Sequence, residues 1–203
     1  MVGLENETPW NDESTRASVT TRVCGEQPET AIAAQDGRML PDYLKPGLDV
    51  VFVGLNPSLK SAAVGHYYAG PGNQFWPFLA EAGFTDRLLR PDEDAEVLAY
   101  GIGLTDFVKR ATRGVNDLKD QEFGNGLDSL IAKIARFSPK FVCFNGKSGY
   151  QAAVGKCDYG LQADDWSGTR LYVAPSTSGA LPIRRDVKLS CFMELKALVE
   201  DMV

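Results

Sequence analysis

Three short apolar runs constrain the fold of this chain more than any other feature of its 203 residues. The runs cover residues 48–54, 141–146 and 170–175, and each ends at a glycine or a proline. Runs of this length, rich in valine and aromatic residues, are typical of strands that are buried on both faces of a sheet. Helical patterns lie around them at about 73–83, 92–100, 121–137, 147–154 and 186–201. We therefore predict an α/β fold, a three-layer sandwich in which helices flank a central, mostly parallel sheet.

The first 48 residues lack such a pattern and are interrupted by glycine and proline. We expect an acidic, loosely packed N-terminal arm with at most one short helix near Asp12–Val23, followed by one catalytic domain over 49–203. The net charge is -6, yet residues 1–49 hold nine acidic and four basic residues, whereas residues 50–203 hold 18 and 17. The domain itself is nearly neutral, so a polyanionic partner is not excluded. Binding through a few cations would be weak and only modestly dependent on salt.

Composition also bears on the compartment in which the protein acts and on the cofactors that it can hold. No stretch approaches the roughly 20 apolar residues of a membrane span, and the N-terminus is acidic where a signal peptide would be basic. The four cysteines are too scattered for a metal or iron–sulfur signature; they are Cys24, Cys143, Cys157 and Cys191. We expect a cytoplasmic protein that binds neither a membrane nor a metal or other cofactor, with its cysteines reduced.

Polar loops follow each of the three predicted strands, at the edge where ligands of open α/β sheets bind. The loops are 54–58, 145–147 and 175–179, all rich in Gly, Pro, Ser or Asn. The first continues to a Lys-Ser pair at 60–61 and so resembles a phosphate-binding loop. The glycine that such a loop needs before its lysine is Leu59 here, which disfavours nucleotide hydrolysis. A nucleotide-binding α/β protein stays open as an alternative, and thermal stabilisation by ATP or GTP would reveal it.

The segment 65–76 holds the only histidine and four aromatic residues. We assign Phe75 and Trp76 to the core, since large rings beside a loop commonly pin it to the interior. Tyr67 and Tyr68 are adjacent and cannot both face the same core. One of them is therefore expected to line the cleft, where its ring can stack on a flat ligand.

Five motifs in order resemble the mismatch-specific uracil/thymine-DNA glycosylase family of the uracil-DNA glycosylase superfamily. They are G-L-N-P-S at 54–58, G-H-Y-Y-x-G-P-G-N-x-F-W at 65–76, Y-G-I-G-L-T-D at 100–106, N-G-K at 145–147 and P-S-T-S-G at 175–179. The resemblance spans about 50–200 and leaves the arm outside. It implies a uracil-DNA glycosylase-like fold and a monomeric, monofunctional enzyme without a cofactor. Its partner would be double-stranded DNA, from which it flips a uracil mispaired with guanine, hydrolyses the N-glycosidic bond and leaves an abasic site. Thymine, ethenocytosine and hypoxanthine are further candidate substrates.

The resemblance also implies roles for individual residues. Asn56 matches the catalytic asparagine of the first motif, whose amide would hold the attacking water against C1′. Tyr68 matches the aromatic residue that stacks on the flipped base, and we place Leu55 and Ser61 beside that base. Asp106 lies next to the base pocket, where a carboxylate adds an acceptor for a base N–H or a proton acceptor for water. A helix cap at the start of the following turn explains Asp106 equally well.

The last two motifs match segments that contact DNA, through phosphates or by entering the duplex. The expected contact residues are Asn145, Gly146, Lys147, Ser176, Ser178, Gly179, Ala180, Leu181 and Arg184. Relatives often place a larger residue where Ala180 stands. Alanine is too short to fill the gap left by a flipped nucleotide, so either Leu181 fills it or the wedge is weak. A weak wedge predicts less dependence on the opposing guanine and a broader choice of substrate.

A second class of function stays open, namely a binding module that recognises mismatched or modified bases without cutting. Alkali cleavage of a uracil-containing duplex after incubation separates the two. Abasic sites identify an enzyme, whereas a mobility shift without them identifies a binder. A lyase that forms a Schiff base is disfavoured, since no motif places a lysine at the pocket.

Overall fold

The computed structural model describes residues 39–202. Its strands are β1 (Val50–Gly54), β2 (Ile102–Asp106), β3 (Phe141–Asn145), β4 (Gly160–Trp166) and β5 (Thr169–Ala174). Its α-helices are α1 (Leu59–Val64), α2 (Phe75–Glu81), α3 (Asp120–Phe137), α4 (Lys147–Ala153) and α5 (Arg185–Glu200), with 3₁₀ helices at Pro91–Tyr100 and Val115–Asp117. All three predicted strands and all five predicted helical segments are present within two residues of their expected bounds. No helix within 39–202 is both long and apolar enough to cross a membrane.

The five strands form one sheet in the order β2-β1-β3-β5-β4. Strands β2, β1, β3 and β5 run parallel to their neighbours, and β4 pairs antiparallel with β5 at the sheet edge. The register sets Gly54 opposite Asp106, and Asn145 opposite Ala174. The carboxyl ends of four strands therefore lie along one edge, which confirms the predicted mostly parallel sheet.

Apolar side chains cover both faces of the sheet. On one face, the Phe52 ring of β1 packs on Phe75 of α2 and Phe192 of α5, with ring centroids 5.2 and 5.5 Å apart. On the other face, Val53 of β1 lies in a buried cluster with Leu130 of α3. Consecutive strand residues face opposite sides of a sheet, so Phe52 and Val53 contact different helix layers. The result is the three-layer sandwich that the sequence predicts.

Two strands, one α-helix and the 3₁₀ helix at Val115–Asp117 escaped prediction from the sequence. Strand β2 contains a glycine and ends in an aspartate, residue types that are depleted in strands. Gly103 is nevertheless required there, because a Cβ would lie 2.9 Å from the backbone oxygen of Tyr43. Strand β4 is largely exposed, so no apolar run marks it. Helix α1 begins after Ser58, whose side chain accepts a hydrogen bond from the Ser61 amide.

The last ten residues of the predicted arm, 39–48, pack against the domain. Three leucines of this segment are at most 5% exposed: Leu40, Leu44 and Leu48. The backbone of Tyr43 also exchanges two hydrogen bonds with Leu104 of β2, of 2.9 and 3.0 Å. The expectation of loose packing is therefore wrong for these residues, because leucines four positions apart reach the core. The helix predicted near Asp12–Val23 lies outside the described residues.

Replacing Leu44 by alanine tests this packing. We expect the free energy of unfolding to fall by about 2–5 kcal/mol, the usual cost of truncating a buried leucine, measured by urea denaturation. Met39 in the same segment is 45% exposed and supplies the control. Met39→Ala should change the free energy of unfolding by no more than about 0.5 kcal/mol. Equal effects of the two substitutions would contradict a packed segment.

Candidate active site

The carboxyl ends of β1, β2 and β3 surround a cleft of about 330 Å³. Its walls come from segments 54–58, 67–73, 112–115 and 176–179 together with Asp106 and Asn145. Nine of the residues predicted for the site line it: Leu55, Asn56, Ser61, Tyr68, Asp106, Asn145, Ser176, Ser178 and Gly179. They come together because parallel strands end at the same edge of the sheet.

The Asn56 amide is held in one orientation. Its Nδ2 group donates hydrogen bonds to the Arg110 backbone oxygen at 2.9 Å and to Thr112 Oγ1 at 2.8 Å. Thr112 in turn donates to the Gly114 carbonyl oxygen at 2.8 Å. With both amide hydrogens engaged, Oδ1 is left as an acceptor for a molecule in the cleft. Thr112 was missed from the sequence, because nothing marks a threonine 56 positions along the chain as the partner of Asn56.

The Asp106 carboxyl is buried at the end of β2, where its residue is 4% exposed. Gly54 lies opposite, and a Cβ at Gly54 would come within 2.7 Å of Asp106 Oδ1. Glycine is therefore what leaves room for the carboxyl. The other oxygen, Oδ2, is buried without a hydrogen-bond partner. The helix-cap explanation of Asp106 is wrong, because the described residues from 107 to the 3₁₀ helix at Val115 form no helix.

Burial raises the pKa of Asp106 to about 7, because a charged carboxylate loses its hydration in the interior. The positive charges of Lys109 and Lys133 act in the opposite direction, whereas the negative charge of Asp42 adds to the rise. A carboxyl with a pKa near neutrality is populated in both protonation states. Titratable groups of this kind are typical of catalytic sites.

Tyr68 contributes an aromatic wall from an unusual backbone conformation. Its φ of 53° lies in the left-handed region, which bulky residues rarely adopt. Its ring stacks on Phe75, with centroids 3.8 Å apart and planes at 24°. The hydroxyl oxygen is buried without a partner, and burial raises the pKa of this phenol far above its usual value. The neighbouring Tyr67 packs in the core, where it is 1% exposed and donates to the Pro41 carbonyl oxygen at 2.9 Å.

Ser61 holds the aromatic segment in place. Its Oγ accepts hydrogen bonds from the Ala69 amide and from Ser58 Oγ, both at 3.1 Å. The residue lines the cleft but is only 3% exposed. Ser61 therefore fixes the backbone beside Tyr68, a role different from the predicted contact with the base.

Asn145 fixes the loop after β5. Its Nδ2 donates to Thr177 Oγ1 at 2.9 Å, and its Oδ1 accepts from the Thr177 amide at 3.0 Å. The same loop is held from α5, where Lys188 Nζ donates to the Ser178 carbonyl oxygen at 2.9 Å. The side-chain amide of Asn145 is thus bonded within the protein, and the predicted contact of the 145–147 segment with a phosphate stays a prediction.

The remaining predicted DNA contacts lie outside the cleft wall. Lys147 turns away, since its Nζ donates to the Cys157 carbonyl oxygen at 2.9 Å and lies 4.5 Å from the centroid of the Tyr159 ring. Its contact with a phosphate therefore stays a prediction. The side chain of Arg184 is 80% exposed and pairs with Asp186. Three others border the site without lining it: Gly146, Ala180 and Leu181.

The arrangement suits a flat ligand with a polar edge. An aromatic ring lines the cleft, the Asn56 amide is held in one orientation, and two buried oxygens, Asp106 Oδ2 and Tyr68 Oη, have no hydrogen-bond partner in the protein. Buried polar groups without partners are rare in proteins, so these oxygens are candidates to bind a ligand or a water molecule. Among residues 39–202 no group of three or more His, Cys, Asp or Glu side chains is placed to hold a metal ion.

Comparison with known proteins agrees with this geometry. The sequence model of the uracil DNA glycosylase superfamily matches residues 41–198, which is more than half of the chain. A solution NMR structure of a candidate uracil DNA glycosylase from Methanosarcina acetivorans is also similar, with a TM-score of 0.52 and 24% sequence identity. The match covers 82% of this chain and 98% of that one. At this identity the structural likeness supports the fold.

The close approach of Gly54 and Asp106 predicts coupling between the two residues. Gly54→Ala should lower the free energy of unfolding by about 1–3 kcal/mol, because the added methyl group overlaps the carboxyl. In an Asp106→Ala background the same substitution should cost little, since the overlap is gone. Urea denaturation of the four proteins measures the coupling, and additive costs would contradict the proposed contact.

Proposed function

Because the chain belongs to the uracil DNA glycosylase superfamily and is thus a DNA glycosylase, we propose that it removes uracil mispaired with guanine in double-stranded DNA. The uracil is flipped out of the duplex into the cleft, water replaces the base at C1′, and an abasic site remains. The proposal includes a monofunctional reaction, in which no lysine forms a covalent bond to the sugar. The protein acts as a monomer, and it works in the cytoplasm.

The two unpartnered oxygens at the base of the cleft carry the proposal. Asp106 and Tyr68 both approach Gly54, where a Cβ would be 2.7 Å from Asp106 Oδ1 and 3.5 Å from Tyr68 Oη. An ionised carboxylate accepts a hydrogen bond, and a phenol donates one. Uracil offers the complement, an N–H group beside a carbonyl oxygen. Cytosine reverses this pattern at the same edge, and would leave both buried oxygens badly paired.

Tyr68 supports base flipping. Its ring, backed by Phe75 at 3.8 Å, provides a rigid surface on which the extruded base can stack. Unstacking and unpairing cost a few kcal/mol, and least at a mismatch. A site that recovers this cost by stacking and edge bonding favours uracil opposite guanine over a well-paired base.

Asn56 and Asp106 have different roles in the proposed hydrolysis. Asn56 Oδ1 accepts a hydrogen bond from the attacking water and holds it beneath C1′, since the amide is too weak a base to do more. The water oxygen forms the bond to C1′ while the bond from C1′ to the base nitrogen breaks, and its electron pair leaves with the base. Ionised Asp106 either takes the proton of the water, or accepts the base N–H while the proton of the water ends on the departing base anion.

DNA is held by few contacts. The loop 176–179 and Arg113 supply phosphate contacts, and both line the cleft. Leu181 fills the space of the flipped nucleotide, because Ala180 is too small. This sparse set fits the nearly neutral charge of residues 50–203, and predicts weak binding to undamaged duplex.

An excision assay tests the function. Excess enzyme is incubated with a labelled duplex that carries uracil opposite guanine, then treated with alkali. We expect abasic sites, with Asn56→Ala slower by about 10²-fold or more because the water is no longer held. Asn125→Ala, an exposed asparagine of α3, is the matched control and should keep the normal rate. A mobility shift without abasic sites would instead identify a binding module, and a rise in melting temperature with ATP or GTP a nucleotide-binding protein.

The same assay run on other substrates measures the specificity. We include uracil opposite adenine, uracil in a single strand and thymine opposite guanine. Absence of excision from uracil opposite adenine and from single-stranded uracil supports mismatch specificity and an effective wedge. Equal rates on all uracil substrates would overturn the mismatch part of the proposal while leaving the glycosylase part.

The pH dependence tests Asp106. Both of its roles need the ionised carboxylate, so the single-turnover rate should rise with pH through a midpoint near 7 and then level off. Asp106→Asn should be slower at pH 8 by about 10²-fold, and should lose the midpoint. A near-normal rate in Asp106→Asn, or a wild-type rate that falls through pH 7, would contradict this role.

A further inference from the structure

A partly buried charge cluster, centred on Asp42, lies close enough to Asp106 to act on its charge. The Asp42 carboxylate accepts hydrogen bonds from Lys109 and from Thr105 Oγ1, the latter at 2.6 Å, and pairs with Lys133 at 2.9 Å. Burial acts to raise the pKa of Asp42, but the two lysines more than offset it and hold this pKa below its usual value. Asp42 is therefore an anion at neutral pH. It belongs to the segment 39–48 and reaches two other parts of the chain.

Lys109 connects this cluster with the catalytic carboxyl. It follows Asp106 by three positions, and its Nζ donates to the Leu40 carbonyl oxygen at 3.2 Å and to Tyr67 Oη at 3.4 Å as well as to Asp42. Its charge is close enough to lower the pKa of Asp106. Yet Lys109 forms no hydrogen bond to Asp106, whose Oδ2 is buried without a partner.

A cation beside a buried, unpartnered carboxylate oxygen would ordinarily pair with it, because the pair offsets the loss of hydration of both groups. Here Lys109 instead donates hydrogen bonds to the Asp42 carboxylate and to the Leu40 carbonyl oxygen. The charged and titratable groups that act on Asp106 are Lys109, Lys133, Asp42 and Tyr67, with Tyr68 at the same pocket. Of these, Asp42 is the one that binds both lysines.

We propose that Asp42 is a positioning residue that holds Lys109 away from Asp106 and so keeps the Asp106 carboxyl free for the flipped base or the attacking water. The catalytic consequence rests on the proposed function, whereas the arrangement itself does not. Without Asp42, Lys109 pairs with Asp106 Oδ2 and occupies the acceptor that the substrate needs. A positively charged partner also favours the ionised form of Asp106.

Two substitutions, alone and combined, test the proposal by shifting the titration of Asp106. The readout is the ¹³C resonance of the Asp106 carboxyl, assigned by its absence in Asp106→Asn, which needs no substrate. In Asp42→Asn the midpoint should fall by about one pH unit or more, because the Asp42 charge that raises it is lost and the released lysine further favours the anion. Removing Lys109 by Lys109→Met should raise the midpoint by more in the Asp42→Asn background than in wild type, because only in that background does Lys109 pair directly with Asp106.

Asp49→Asn is the matched control, because Asp49 pairs with Lys140 at 2.8 Å just before β1, at the opposite end of that strand. It should leave the midpoint unchanged. Melting temperatures of all variants separate a shift in titration from partial unfolding. Equal shifts of the midpoint on removal of Lys109 in wild type and in Asp42→Asn would overturn the proposal, because independent charges give additive shifts, whatever the enzyme turns out to excise.

Single-turnover excision then tests the catalytic consequence. Asp42→Asn should be slowed by about 10-fold or more at pH 8, and removing Lys109 in that background should restore most of the rate, because Lys109 no longer occupies the carboxyl. A merely structural role predicts a double variant no faster than Asp42→Asn, which would overturn the blocking role. Absence of excision in wild type would instead refute the proposed function, and the NMR shifts would still decide the role of Asp42.

Discussion

The parallel register of β1 and β2 is the constraint on which the cleft depends. It sets Gly54 opposite Asp106. The Asp106 carboxyl fits there because glycine has no Cβ to overlap it. The carboxyl is thereby buried, and burial brings its pKa to about 7. Beyond Gly54 the chain turns directly into Asn56, so the carboxyl and the amide come from adjacent strand ends. Neither group relies on a mobile segment to reach the site, which is the preorganisation that catalysis by positioning needs.

The polar side chains around the cleft largely satisfy one another. Asn56 is bonded to Thr112 and the backbone of Arg110, Asn145 is bonded twice to Thr177, and Lys188 holds the Ser178 carbonyl. These bonds fix three loops that come from distant parts of the chain. These bonds leave few polar atoms of the cleft for a ligand: the amide oxygen of Asn56 and the two buried oxygens, Asp106 Oδ2 and Tyr68 Oη. The recognition of a ligand is thus concentrated in the few groups that the scaffold does not use.

The sequence predicted those parts of the fold whose signal is local. Strands β1, β3 and β5 are continuous apolar runs, whereas β2 was missed because the approach of Tyr43 requires Gly103 in its middle. Motifs located the loops of the cleft but not the directions of side chains, so Asn145 and Lys147 were assigned to phosphates although one bonds within the protein and the other turns away. Thr112 and Asp42 reach the site through tertiary contacts, for which a single sequence carries no local signal.

The backbone pairing of Tyr43 with Leu104 has a consequence for the sheet as a whole. Strand β2 is the last strand on its side of the sheet, and an uncovered edge strand is a template for pairing with other chains. The two hydrogen bonds between Tyr43 and Leu104 occupy part of that edge, and leucines on either side of Tyr43 anchor the segment in the core. Residues 39–48 therefore cover part of an edge that is otherwise open to pairing with another chain. A shortened form of the protein that is to keep this cover retains residues 40–48.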